Sequence, residues 1–243
     1  MNAPLTIGII GGMSPESTAT YYQHIVRRHE TEFHDHSYPR IVIVSVSFQK
    51  YVTWQHEGNW NQITSELGME FQRVAAAGAD FAILATNTMH KVLPSIRSPI
   101  PVLSILGAVT KYAQKSGIKS IGLTGTKFTM SDGFYAEGLE RHGLDVLTPS
   151  PVQQETIHRI IYEELIFGKI NPKSIKRFSQ IAQDLSSKGA ESILLGCTEL
   201  ELLTRANSAG IRFVDSTRVH ADAAWETAIG RRSLSEYQTD VPT

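Results

Sequence analysis

Short apolar runs alternate with longer amphipathic stretches along the chain. The runs are apolar at consecutive positions and too short for helices, which is typical of strands buried on both faces of a parallel sheet. We predict strands at residues 6–11, 40–48, 81–85, 102–105, 120–123, 145–147 and 213–214, with one more that ends at Cys197.

The stretches between these runs carry apolar residues at helical spacing. Ile63, Leu67 and Phe71 follow one another at intervals of four, and Gly78 supplies a left-handed stop after them. We predict helices at residues 15–28, 61–77, 106–115, 133–141, 153–167, 172–187 and 217–229, and a frayed polar tail at 231–243. Alternating strands and helices predict an α/β fold with parallel sheets.

The chain also repeats itself. The segment GADFAILATNTMH begins at Gly78 and aligns without a gap with GAESILLGCTEL, which begins at Gly189, so that Thr86 matches Cys197. A second pair, IGIIGG at residues 7–12 and IGLTGT at residues 121–126, supports the same alignment. Agreement at two separated places indicates an internal duplication.

The duplication predicts two pseudo-symmetric domains, each a parallel sheet flanked by helices, with the active site in the cleft between them. Thr86 and Cys197 would then lie on opposite walls of that cleft. We expect residues 1–104 and 212–243 to form the first domain, and residues 105–211 to form the second.

Composition narrows the class of protein. Apolar residues make up 41% of the chain, charged residues 19%, and the formal net charge is −1, as in an ordinary globular protein. Scattered basic residues and a pI of about 6.8 argue against a nucleic-acid partner. No apolar run has the length of a membrane span, and the N-terminus lacks a signal-peptide pattern, so we expect no membrane partner and a cytoplasmic location.

Cys197 is the only cysteine, so it cannot form an internal disulfide or a zinc site by itself. A lone cysteine is often a small buried hydrophobe. Cys197, however, ends an apolar run, and Thr198 and Glu199 open a predicted helix directly after it. We expect the start of that helix to favour the thiolate.

Two further strand ends carry polar groups. Gly11 and Gly12 end the first strand, and Ser14 is placed to cap the next helix in a geometry that binds anions. The segment does not match the dinucleotide fingerprint. Thr86, Asn87 and Thr88 offer two hydroxyls and an amide where an open parallel sheet forms its ligand crevice.

Other polar segments give weaker signals. The residues at 34–36, His-Asp-His, suggest a metal at first sight, but we expect none because residues two apart in a loop rarely converge. Residues 49–59 carry aromatic side chains that either form a lid or simply pack. His90 and His220 are expected to be hydrogen-bonded structural groups.

Four motifs in order resemble the aspartate/glutamate racemases, which use two cysteines and no cofactor. They are GGMSPEST at residues 11–18, TNTMHK at 86–91, TGTKFTM at 124–130 and LGCTEL at 195–200. The resemblance spans nearly the whole chain and implies a PLP-independent isomerase, usually a homodimer, that acts on aspartate or glutamate. In such enzymes one thiolate removes the α-proton while the opposite thiol returns one.

The reaction places specific demands on the site. An α-proton beside a carboxylate is very weakly acidic, so fixed donors must stabilise the developing dianion. Asn87, Thr88 and Thr198 are our candidates for holding the α-carboxylate. By resemblance Met13, Ser14, Thr126 and Thr129 also line the pocket, although Thr126 and Thr129 are equally suited to turn and cap roles.

The chain departs from the family at one catalytic position, where Thr86 replaces the first cysteine. A threonine hydroxyl is too weak an acid to be a resting base near neutral pH, so it can only donate or relay a proton. We therefore expect Cys197 and Thr86 to be the catalytic residues of a racemase that handles its two enantiomers unequally. The family that the chain resembles implies, through its geometry, that the L-amino acid is the favoured one.

Two other functions fit a single cysteine. Arylmalonate decarboxylases resemble this superfamily and need one thiol, which protonates the enolate after carbon dioxide leaves. A ligand-binding protein on a racemase scaffold needs none. The sequence leaves aspartate against glutamate open, because none of the cations weighed for the distal carboxylate stands out: Lys50, Lys127, Lys169, Arg40 and Arg218.

Overall fold

The computed structural model describes residues 4–204 and 210–237 of the chain. These residues belong to two compact units, Met1–Ala108 with Thr217–Thr243, and Val109–Ser216. In the described residues, no helix combines the length and the apolar character that crossing a membrane requires.

The first unit contains four parallel strands in the order β2-β1-β3-β4. The strands are β1 (Ile7–Gly11), β2 (Ile41–Ser45), β3 (Phe81–Leu84) and β4 (Val102–Leu103). The helices are α1 (Pro15–Phe33), α2 (Phe48–His56), α3 (Trp60–Ala76), the first turn of α4 (Ile105–Lys115) and nearly all of α10 (Ser216–Ala228).

Helices cover both faces of this sheet. Ile9 and Ile83 point to one face, where they pack against Tyr21 of α1 and Trp225 of α10. On the other face Ile10, Ala82 and Leu84 pack against Ile63, Leu67, Phe71 and Val74 of α3. Burial on both faces explains why the strands are apolar at consecutive positions.

The second unit repeats this plan, with parallel strands in the order β6-β5-β7-β8. The strands are β5 (Ser120–Gly125), β6 (Asp145–Leu147), β7 (Ser192–Gly196) and β8 (Phe213–Asp215). The helices are α5 (Lys127–Ser131), α6 (Phe134–Glu140), α7 (Pro151–Glu163), α8 (Pro172–Ser187) and α9 (Glu201–Thr204). Ile193 and Leu195 of β7 pack against Ile157 and Ile161 of α7 and Phe178 of α8.

The matching strand orders confirm the predicted fold class: two α/β units, each a parallel sheet flanked by helices. β1 corresponds to β5, and β3 corresponds to β7, as the internal alignment requires. Thr86 therefore follows β3 as Cys197 follows β7.

The segment considered as a lid is α2, an ordered helix packed on the first unit. Tyr51 of α2 is fully buried, and Trp54 packs against the same apolar cluster as α3. Packing is therefore the better interpretation of these aromatic residues. No helix was predicted in this segment, because the sequence of a short helix with polar residues on its outer face resembles that of a polar loop.

The tail differs from its expected frayed state as far as residue 237, and residues 238–243 lie outside the described part of the chain. Ser233 and Glu236 form a capping box around the 3-10 helix Leu234–Glu236. Tyr237 is 4% exposed, belongs to the core of the first unit and hydrogen-bonds to Glu226 at 3.2 Å. A side chain at Gly107 would collide with the backbone of Tyr237.

We predict that Tyr237→Ala lowers the free energy of unfolding by about 3 kcal/mol, because it removes a buried aromatic ring and leaves a cavity. The measurement is urea unfolding followed by circular dichroism. Tyr22→Ala is the matched control, since Tyr22 is 46% exposed on α1. Equal midpoints for Tyr237→Ala and the unmutated protein would show that the tail contributes nothing to the core.

Candidate active site

The end of β1 leads directly into α1 through two glycines. Gly12 has φ 91°, and a side chain there would collide with the backbone of Val46 next to β2. Its N–H donates to Thr18 Oγ1 at 2.7 Å. Ser14 is the N-cap of α1, as predicted, and its hydroxyl accepts from the Ser17 N–H at 3.3 Å. The buried residues Met13 and Ser14 thus lie at the carboxyl edge of the sheet.

Thr86, Asn87 and Thr88 follow β3, the neighbour of β1, and so lie at the same edge. The Thr86 N–H donates to the Leu84 carbonyl at 2.8 Å, and Asn87 and Thr88 are buried. Thr88 begins a 3-10 helix that ends at Lys91. The five predicted site residues of the first unit therefore share one edge of one sheet.

A pair of buried histidines holds this edge in place. His90 Nδ1 donates to the Thr86 carbonyl at 2.8 Å, while Nε2 accepts from the Ile105 N–H at 3.0 Å. His220 Nε2 donates to the Leu103 carbonyl at 2.9 Å, and its Nδ1 accepts from the Tyr21 hydroxyl at 2.8 Å. Each ring is thus a neutral imidazole of fixed tautomer.

Burial lowers the pKa of both histidines, to about 4 for His90 and to about 3 for His220. The neighbouring His90 lowers the pKa of His220 further. Both side chains are structural, as expected from the sequence. His90 also anchors the backbone of Thr86, which the sequence did not indicate.

We predict that the two histidines make the protein acid-sensitive. Their folded pKa values lie below the unfolded value of about 6.5, so the unfolded chain binds protons first as the pH falls. The contribution of the neutral rings to the free energy of unfolding is complete above about pH 6.5. It is lost as the pH falls towards 4, and for His90 the loss is on the order of 3 kcal/mol. Urea unfolding at a series of pH values measures this loss.

His90→Leu should be less stable at neutral pH, because it leaves the Thr86 carbonyl and the Ile105 N–H without the ring, and should lose less stability between pH 6.5 and 4. His142→Gln, which changes an exposed histidine, is the control and should follow the unmutated protein. Identical pH slopes for all three proteins would contradict this assignment.

In the second unit, Thr126 and Thr129 lie at the end of β5. Thr126 is the N-cap of α5, a short helix where the sequence suggested a turn, and its hydroxyl accepts from the Thr129 N–H at 3.3 Å. The two hydroxyl groups are 3.2 Å apart. Capping therefore explains part of the role of Thr126.

Cys197 and Thr198 follow β7, the neighbour of β5, and lie at the carboxyl edge of the second sheet. Gly196 precedes them because a Cβ there would lie 2.6 Å from the Thr124 carbonyl oxygen of β5. Cys197 is partly exposed, and Thr198 begins a 3-10 helix, Thr198–Leu200. The four predicted site residues of this unit thus also share one edge of one sheet.

The thiol of Cys197 donates to Glu199 Oε2 at 3.0 Å. Burial raises the pKa of Cys197 well above its usual value, and the carboxylates of Glu199 and Asp215 raise it further. The expected lowering by a helix start is therefore wrong. The turn that follows Cys197 is a single 3-10 turn, Thr198–Leu200. The negative charge of the Glu199 carboxylate, at hydrogen-bond distance from Sγ, outweighs the partial positive charges of the N–H groups at the start of that turn.

Three groups around this thiol were not singled out from the sequence as site residues. Glu199 is 9% exposed, Asp215 ends β8, and Tyr162 of α7 has its pKa raised by burial and by Cys197 and Glu199. Tyr162 packs against His158, with ring centroids 4.6 Å apart. Of these three, only Glu199 could have been singled out from the sequence, because it is an acidic residue two positions after the cysteine.

The lysines considered for a distal carboxylate have other contacts. Lys50 pairs with Glu66, and Lys127 pairs with Glu155 at 3.3 Å. Lys169 lies 5.9 Å from the centre of the Phe167 ring. None of these contacts assigns a cation to the substrate.

Within residues 4–204 and 210–237, no group of three or more His, Cys, Asp and Glu side chains is arranged to hold a metal ion. Asp35, in the segment that suggested a metal, instead accepts hydrogen bonds from the N–H and hydroxyl of Ser37. Its Oδ1 also lies 3.7 Å from His29 Nε2.

Fold and site together define a class: a duplicated α/β protein with a thiol at the end of one central strand and a hydroxyl at the end of its counterpart. The chain belongs to the Asp/Glu/hydantoin racemase family, whose model matches residues 10–224.

Individual relatives agree with this family. The chain is 30% identical to a glutamate racemase of Aquifex aeolicus (strain VF5) over 173 residues, which are 67% of this chain and 65% of that protein. It spans less than two thirds of the length of the curated relatives it matches.

Two solved structures match almost throughout. A candidate Asp/Glu racemase from Yersinia pestis is 36% identical, with a TM-score of 0.85 over 93% of this chain and 99% of that one. An aspartate racemase homologue from Pyrococcus horikoshii OT3 is 33% identical, with a TM-score of 0.78 over 92% and 99%.

Proposed function

We propose that the protein is a cofactor-independent racemase of aspartate, glutamate or both. Cys197 removes the α-proton of the L-amino acid, and a proton returns from the side of Thr86. The observation that carries the proposal is the equivalent placement of two residues at the end of the third strand of each unit: Cys197 directly follows β7, and Thr86 lies two residues beyond the end of β3.

Residue chemistry supports unequal roles for these two side chains. Sulfur is the better base of the two, because a thiol loses its proton far more readily than an alcohol, even though burial raises the pKa of Cys197 above the ordinary thiol value of about 8.5. The threonine hydroxyl donates or relays a proton but does not rest as an alkoxide. The side of Cys197 therefore begins the reaction.

The polar residues at the strand ends are proposed to bind the substrate. Asn87, Thr88 and Thr198 would hold the α-carboxylate as negative charge develops on it. Met13, Ser14, Thr126 and Thr129 would line the pocket beside them. Their positions at the carboxyl edges of parallel sheets, where α/β folds bind ligands, support this assignment.

The test is incubation with each enantiomer of aspartate and glutamate in deuterium oxide, with α-deuterium followed by NMR. A racemase introduces label and forms the opposite enantiomer. A decarboxylase would instead release carbon dioxide from an arylmalonate, and a binding protein would bind an amino acid without labelling it. Either of these results, with no label in any amino acid, would contradict the proposal.

We predict that Cys197→Ala and Cys197→Ser reduce α-deuterium incorporation to the uncatalysed background, because each removes the only thiol. Ser187→Ala is the matched control, since it removes an exposed hydroxyl from the end of α8. Unfolding midpoints show whether the variants remain folded. Activity that survives in folded Cys197→Ala would place the chemistry elsewhere.

We predict that Thr86→Cys makes the two directions more nearly equal. Enantiomers have equal free energies, so kcat/KM is the same in both directions, and the asymmetry appears in kcat. A thiol at residue 86 supplies a base for the D-amino acid and should raise kcat from that side by several-fold. An unchanged ratio of the two kcat values would show that residue 86 does not face the substrate.

We also propose a homodimer, on the family resemblance alone. Analytical ultracentrifugation tests it directly, and a single monomeric species at assay concentration would contradict it.

A further inference from the structure

The last described residue of the chain packs onto the first turn of α4. A Cβ on Gly107 would lie 2.2 Å from the Tyr237 carbonyl oxygen and 3.0 Å from its Cα. The Tyr237 ring is 4% exposed and belongs to the same apolar cluster as Leu103 and Ala108, which flank this turn. The backbone of Tyr237 therefore lies directly against α4, and its ring is part of the core of the same region.

Several contacts hold residues 231–237, the tail segment, in this position. A capping box closes the 3-10 helix within it. Arg232 pairs with Glu236 at 3.3 Å and with Glu226 of α10 at 3.7 Å. Burial raises the pKa of Tyr237, and the carboxylate of Glu226 raises it further, so the hydroxyl keeps its proton and donates it to Glu226 at 3.2 Å. The tail segment is thus fixed to α10 as well as to α4.

The same turn of α4 is bonded to the buried histidines. The Ile105 N–H donates to His90 Nε2 at 3.0 Å, and His90 Nδ1 donates to the Thr86 carbonyl at 2.8 Å. Just before the turn, the Leu103 carbonyl accepts from His220 Nε2 at 2.9 Å. Contacts therefore run without a break from the tail segment, through α4 and His90, to the backbone of Thr86.

We propose that Tyr237 is a positioning residue, which acts through the first turn of α4 and through His90 to hold Thr86 in place for the return of the proton. This inference rests on the proposed function and adds to it a residue from the other end of the chain.

The chemistry of the imidazole explains why His90 depends on this turn. A neutral ring that donates from Nδ1 must accept at Nε2. If the Ile105 N–H moved away, the buried Nε2 would lose its donor, which is costly enough to make another tautomer or another ring orientation competitive. Either change takes the Nδ1 donor from the Thr86 carbonyl. The position of α4 therefore decides how firmly Thr86 is held.

Gly107→Ala is the test, because it leaves Tyr237 and both histidines unchanged. Alanine is the better helix former, so the cost of this substitution comes from the collision with Tyr237. Gly68→Ala in α3 is the matched control. A Cβ there meets no described atom within 4 Å apart from those of its chain neighbours and of its own helix backbone.

Nitrogen-15 NMR of the imidazole rings at neutral pH gives the first readout, with the His90 signals assigned from their loss in His90→Leu. In the unmutated protein Nδ1 carries the proton and Nε2 does not, so their shifts are far apart. Gly107→Ala should draw the two shifts together and lower kcat for formation of the D-amino acid several-fold. Iodoacetamide should alkylate Cys197, in the second unit, at an unchanged rate.

Tyr237→Ala should produce the same changes, and Tyr237→Phe, which keeps the ring, should retain the separated His90 shifts and most of kcat. Gly107→Ala with the His90 shifts and kcat of Gly68→Ala overturns the proposal. A lower kcat with unchanged His90 shifts also overturns it, because the tail segment would then act by another route. If Gly107→Ala does not fold, the comparison of Tyr237→Ala with Tyr237→Phe decides.

The two readouts separate this inference from the proposed function, since the ring shifts are measured without substrate. Altered shifts in Gly107→Ala, with no exchange in any protein, would support the hold of the tail segment on His90 and refute the racemase. Exchange that depends on Cys197, with altered shifts but an unchanged kcat in Gly107→Ala, would overturn the inference and leave the racemase in place.

Discussion

Close approach between neighbouring strands at the carboxyl edge of each sheet is the constraint on which the rest of the structure depends. Gly12, directly after β1, faces the backbone of Val46 after β2, and Gly196, at the end of β7, faces the Thr124 carbonyl of β5, so a side chain at either glycine would collide with that backbone. Because β1 and β3 are parallel, as are β5 and β7, the chain emerges from both strands of a pair at the same edge. Polar residues that follow them in sequence are thereby brought together without any long loop.

The two edges are equivalent in backbone but opposite in chemistry. After β3 the chain places hydroxyls and an amide, and a neutral histidine, His90, fixes the Thr86 backbone. After β7 it places a thiol against a carboxylate. The duplicated fold thus carries different side chains at its two sheet edges, and in the second unit burial and the neighbouring carboxylates hold the proton on the thiol.

Much of the fold, and the equivalent positions of Thr86 and Cys197, could be predicted from the sequence for physical reasons. Strands buried on both faces leave continuous apolar runs, and glycines mark their ends, so the sheets and the equivalence of Thr86 and Cys197 followed from residue order. The state of the thiol did not follow. It depends on whether the residues after β7 form an α-helix or a single 3-10 turn, and on where the Glu199 side chain points, which residue types alone do not determine. The burial of Tyr237 could not be predicted, because this one ring anchors a tail whose other residues are mostly polar.

The most direct test of one-sided chemistry is where solvent deuterium goes when L-aspartate or L-glutamate is incubated with the protein in deuterium oxide. If Cys197 removes the α-proton and a solvent deuteron arrives from the side of Thr86, each molecule of D-amino acid that forms carries α-deuterium. A carbanion that returns to the L-form takes back the protium held on the thiol, so early in the reaction the recovered L-amino acid should carry much less label than the D-product. D-product that retains the original α-protium, or label that enters the L-substrate while no D-amino acid forms, would contradict the account.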